Sequence, residues 1–176
     1  MKKIVLLFTL CTFSISWVFA QNIKKLDEKN GFKELTLGSS YQDAKQYLSE
    51  LPIESNAKGK TAIYAVTDQS FLEVGESEIN KITASFFNDR LESINIDTKG
   101  HQNFKDLLDV LTKGYGKGEK KNTYIEEYHW LGKKVNMSYK MNANTKDGKL
   151  TIVSKEIAEQ NEKHKKDLKK GVVNEL

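Results

Sequence analysis

The chain has 176 residues, 38% of them hydrophobic and 30% charged, with a formal net charge of +4 and one cysteine, Cys11. Arg90 is the only arginine, so the planar bidentate donors that recognise phosphate, carboxylate and guanine edges are nearly absent. The near balance of charge leaves no polyanion footprint, and nucleic acid is not an expected partner.

Lys2 and Lys3 precede an apolar run from Ile4 to Leu10, and the segment closes on Val18-Phe19-Ala20 before Gln21. A basic start, a short apolar core and a small residue at the junction form the pattern of a bacterial secretory signal peptide cleaved between Ala20 and Gln21. Leu10 is too large to precede a lipidated Cys11, and Thr9, Thr12, Ser14 and Ser16 interrupt a stretch shorter than the ~20 residues of a spanning helix. The expected product is periplasmic or secreted, with no transmembrane span after cleavage. Losing residues 1–20 removes Cys11, and with it disulfides, thiol chemistry and sulfur metal sites. Lys2 and Lys3 carry away half of the net charge. Residues 21–176 have the length of one domain.

Residues 21–31 are polar and charged and read as a flexible lead-in. Residues 32–37 read as a strand, after which Ser40 and Asp43 have the spacing of a capping box. Tyr41, Ala44, Tyr47, Leu48 and Leu51 then form the apolar stripe of a helix stopped by Pro52. Strands are expected near 61–67 and 71–74. Ile82, Ala84 and Phe86 alternate on one strand, and Ile94 and Ile96 on the next. A three-residue loop, Asn88-Asp89-Arg90, sets Ile82 opposite Ile96 and Ala84 opposite Ile94, with Arg90 near the left-handed region and Glu92 opposite Phe86 on the apolar face. A second helix over 103–113 carries Phe104, Leu107, Leu108 and Leu111 on one face, with Gly114 as its stop. Gly132-Lys133 reads as a two-residue turn that pairs Trp130 with Val135, Tyr128 with Met137, Glu126 with Tyr139 and Tyr124 with Met141. Asp147-Gly148 leads into a last strand at 149–154. A polar helix follows to about Lys170, with Gly171 as its end, either weakly docked or serving as a contact arm.

These elements predict one α+β domain over 32–154, built of two loose α-β units. Its antiparallel sheet has about six to eight strands with two amphipathic helices on one face, and a polar C-terminal helix and tail occupy 155–176. The segment Phe32-Lys33-Glu34-Leu35-Thr36-Leu37-Gly38-Ser39-Ser40, followed by Ala44 and Leu48, resembles the opening of the SmpA/OmlA and β-lactamase-inhibitor-like group of small bacterial envelope proteins. Leu111-Thr112-Lys113-Gly114-Tyr115-Gly116 and Trp130 extend the resemblance into the second unit. It implies a mainly non-enzymatic binding or assembly module. The chain lacks the lipobox of outer-membrane members and the cysteines of the secreted inhibitors, so neither specific function carries over.

Glu127 and His129 lie two apart on one strand and project to one face, which suits a metal pair, a base with its orienting group, or an ordinary cross-strand surface pair. His101 and His164 fall elsewhere, so no third metal ligand is in view. Glu126 lies among Tyr124, Tyr128, Trp130 and Tyr139, where its carboxyl is either an acid of raised pKa or the acceptor of a tyrosine hydroxyl. The aromatic face is either a groove for a peptide or glycan or part of the core. Gly114-Tyr115-Gly116-Lys117-Gly118 follows a helix instead of preceding one and is no phosphate loop, and no Gly-x-Ser-x-Gly elbow exists. The expected function is a non-catalytic exported bacterial protein that binds a protein or other envelope component. Glu126, Glu127, His129, Tyr128 and Trp130 are its candidate contact residues, with no cofactor, metal or catalytic residue assigned. The alternative is a small periplasmic enzyme or metal- or ligand-binding protein using Glu126, Glu127 and His129.

Overall fold

The computed structural model describes residues 23–174. The expected leader, its Ala20–Gln21 junction and Cys11 lie outside the described residues. Residues 23–29 form helix α1, followed by the small hairpin of β1 (Gly31–Phe32) and β2 (Leu35–Thr36) and by α2 (Tyr41–Ala44), which continues as a 3-10 turn to Tyr47. Then come β3 (Glu54–Asn56), β4 (Thr61–Ala65), β5 (Glu73–Val74), β6 (Ser77–Phe87) and β7 (Arg90–Thr98). Helix α3 (Gly100–Tyr115), strands β8 (Glu127–Leu131), β9 (Val135–Met141) and β10 (Gly148–Ser154), and α4 (Lys155–Asn174) complete the chain. The fold is α+β. Its large sheet has eight antiparallel strands in the order β3-β4-β6-β7-β10-β9-β8, with β5 paired to β6. Among the described residues no helix is long and apolar enough to cross a membrane.

Because side chains alternate across a strand, Ile82, Ala84, Phe86, Ile94, Ile96, Leu150, Ile152, Met137, Tyr139 and Trp130 share one face and are buried. Leu26 of α1, Ala44 of α2 and Phe104, Leu107 and Leu111 of α3 join the same core. The ring of Phe104 stacks on Tyr139 at 4.5 Å. The other face is polar except at one end, where α4 covers Phe87 and buries its own Ile157.

Several sequence expectations are corrected. Positions 23–29 of the expected lead-in are helical, and Leu26 is 1% exposed. Ser40 and Asp43 do form the capping box, but the helix they start unwinds by Leu48, and Leu51 is 77% exposed. Ser49 N instead donates to Ala65 O at 2.9 Å, so β4 captures the chain before a further turn can form. The β6–β7 register pairs Ile82 with Ile96 and Ala84 with Ile94, as the alternation requires. The connection, however, is Asn88-Asp89, both at positive φ, with Arg90 already in β7. A bulge opposite Phe86 adds the extra residue, so Leu91 faces the core in place of Glu92. Glu92 instead meets α4. Gly116 at φ 80°, not Gly114, caps α3, and α4 runs through Gly171 to Asn174.

The β8–β9 hairpin slips by two residues, pairing Trp130 with Met137 and Tyr128 with Tyr139. An even slip keeps every side chain on its face, and it widens the connection from two residues to three, Gly132-Lys133-Lys134. Asp27 of α1 explains the wider loop. Its carboxylate accepts the backbone N–H groups of Lys133 and Lys134 at 2.8 Å each and of Val135 at 3.0 Å. Tyr124 falls outside the hairpin and is 96% exposed.

Candidate functional site

The five residues singled out from sequence divide between the two faces of β8 and its approach. Trp130 belongs to the core, with its indole N–H donating to Gly116 O at 2.8 Å. The run Gly116-Lys117-Gly118 passes so close over this ring that a Cβ at Gly118 would stand 2.9 Å from Trp130 and Tyr128. Tyr128 donates its hydroxyl to Glu126, which also pairs with Lys120 at 2.7 Å. The bonds from Lys120 and Tyr128 hold the Glu126 carboxyl below its ordinary value of 4.5. Burial and the Glu126 contact push the Tyr128 phenol up to about 12. Glu126 is therefore an anionic acceptor at the core's rim and not an acid of raised pKa.

Glu127 and His129 lie on the outer face, with Nε2 of His129 3.4 Å from Oε1 of Glu127. Lys140 Nζ is 3.0 Å from Oε2 of the same carboxylate. Among the described residues no group of three or more His, Cys, Asp or Glu is placed to hold a metal ion.

Strand order builds more around this pair than the local sequence suggests. Lys81, Asp97, Lys149, Lys140 and Glu127 are successive cross-strand partners in one row over five strands. The next row is Thr83, Asn95, Thr151, Ser138 and His129. Thr151 donates to Asn95 Oδ1 at 3.0 Å, tying β10 to β7 within that row. Lys140 and Lys149 stand opposite one another, an unfavourable like-charge pair that Glu127 and Asp97 offset from either side. The upper end of this face is an open groove of about 660 Å³, with Asp97, Glu127, Lys140, Asp147 and Lys149 in its lining.

No protein-family model matches this chain, and no curated protein matches it. Over 77% of its length it is similar to 97% of the solved chain of a DUF4309 family protein (YjgB) from Bacillus subtilis subsp. subtilis str. 168, at 15% identity and a TM-score of 0.44.

Sequence reasoning placed Glu127, His129 and Lys140 on one solvent face of the hairpin but missed Asp97 and Lys149, from other strands, as their companions. Alternation marks each of these as outward facing. Which strands are neighbours depends on pairing β7 with β10, between segments about fifty residues apart, and no local pattern encodes that.

Proposed function

We propose that the protein is an exported bacterial binding module that engages a protein or another envelope component through the polar groove of its outer face. The observation that carries this reading is the cross-strand row Asp97–Lys149–Lys140–Glu127, which presents both signs of charge in an open concavity. Such a field complements a polar, charged partner surface and discriminates among partners by the cost of misplaced like charges. The basic start and apolar run ending at Ala20 support export.

The test is affinity capture from the native envelope fraction with the mature chain, compared with the double variant Lys140→Glu, Lys149→Glu and a control, Lys105→Glu, away from the groove. A partner retained by wild type and control but lost by the double variant supports the reading. Metal analysis of the same preparations tests the alternative. Stoichiometric zinc that disappears in Glu127→Gln or His129→Ala, with no captured partner, would replace the binding module with a metal-dependent protein.

A further inference from the structure

At the opposite end of the outer face from the groove, α4 crosses the sheet beside the β6–β7 turn. Ile157 is buried there, Arg90 Nη1 pairs with Glu156 at 3.1 Å, and the His164 ring lies 5.7 Å from Phe87. Glu92, the residue added by the β7 bulge, is half-buried beneath the helix. Its Oε2 accepts the side-chain N–H of Asn161 at 2.7 Å. Asn161 is 3% exposed, yet its Oδ1 has no hydrogen-bond partner among the described residues. A buried acceptor without a donor is costly, and an ionised carboxylate has no donor to offer.

We infer that Glu92 and Asn161 form a proton-operated clamp on α4: a proton taken up from solvent by Glu92 supplies the O–H donor that Asn161 Oδ1 lacks. One hydrogen bond then becomes the two of an acid–amide pair, and the half-buried charge is removed.

The surrounding groups fit this balance. Burial disfavours the ionised form, and Glu162 of α4 adds to that effect. Asn161 and Lys165 oppose it, and the net result raises the carboxyl above its ordinary 4.5. Arg90 and Glu156 neutralise each other across the same interface, and His164 is bonded through Nε2 to the Lys58 carbonyl oxygen at 2.9 Å. A carboxyl whose folded pKa is raised contributes stability that is complete below pH 4.5 and is lost as pH rises through the folded value. The clamp is therefore tightest in acid and loosens toward neutrality.

Amide hydrogen exchange of the full chain across that window, corrected for intrinsic rates, reads the clamp directly. Protection of the α4 amides around Asn161 should fall with rising pH, by about tenfold for each unit by which the Glu92 midpoint exceeds its unfolded value. Glu92→Gln presents an amide donor at every pH and should keep protection high and flat. Introducing Asn161→Leu into the Glu92→Gln background should abolish that gain. Ile157→Ala should lower protection at every pH, which verifies that the measurement senses α4. Wild-type protection that is flat with pH would overturn the inference, as would a Glu92→Gln helix looser than wild type near neutrality. A Glu92→Gln gain that persists without Asn161 would assign the effect to burial alone and equally overturn the pair.

Discussion

Gly148 opens β10 at the point where β7, β9 and β10 meet, and it is buried. A Cβ there would run into Tyr139 Oη and Thr98 Oγ1, which are bonded to each other at 2.9 Å in the core. Neither partner can move freely, because Tyr139 is stacked on Phe104 and Thr98 lies in the β6–β7–β10 ladder. Gly148→Ala should therefore destabilise the protein by about 1–3 kcal/mol, the usual range for an overpacked core. Chemical denaturation at neutral pH would measure it. From sequence, Asp147-Gly148 is legible as a turn, but the close approach that makes the glycine necessary is not. For Glu126 the tyrosine-hydroxyl bond is one of the two sequence readings, but the pairing with Lys120, which reaches back across a short segment that no periodicity describes, is not legible.

Elements with local causes match their patterns. The Ser40–Asp43 capping box forms because both partners lie within one turn, and α3 buries Phe104, Leu107 and Leu111 at helical spacing. Elements settled by remote contacts do not. The first residue of α3, Gly100, finds its cap in Asp147, whose Oδ1 accepts the Gly100 N–H at 2.9 Å, while Lys99 supplies no side-chain cap. The β8–β9 hairpin follows Asp27 in preference to its own Gly132-Lys133 signal, through bonds spanning 106 to 108 residues. Asp27→Ala should leave those backbone N–H groups without their acceptor and cost about 1–3 kcal/mol. It should also release α1 from the hairpin. Denaturation midpoints, with NMR shifts of the Lys133, Lys134 and Val135 amides, would show whether it does. Unmoved amide shifts would mean that the hairpin holds its register unaided.

Across the whole molecule the carboxylates fall into two groups with opposite pH behaviour. Burial raises the Asp27 carboxyl, but the N–H groups of Lys134, Lys133 and Val135 outweigh it and leave it below 3.8. Asp147 is lowered by Gly100 and Thr145, and Glu126 by Lys120 and Tyr128. Groups with depressed folded pKa values stabilise above their unfolded values, 3.8 for aspartate and 4.5 for glutamate, and lose that stability as pH falls through the folded ones. Glu92 acts in the other direction. Thermal unfolding measured from neutral pH into acid should therefore show a decline that sets in as pH falls through the ordinary carboxylate range and continues below it, and Glu92→Gln should stabilise the protein most at neutral pH. A melting temperature that keeps rising below pH 3.8 would contradict this assignment. The α+β class, the core-facing alternation of Ile82, Ala84, Phe86, Ile94 and Ile96 and the pairing of Ile82 with Ile96 were determined by sequence alone, because alternation and helical spacing are properties of neighbouring residues. The order of strands, the slip of the β8–β9 register, the docking of α1 and α4, and the charged row from Lys81 to Glu127 were decided by tertiary structure. Each depends on which distant segments become neighbours, and that follows from the joint burial of the core and not from any window of sequence.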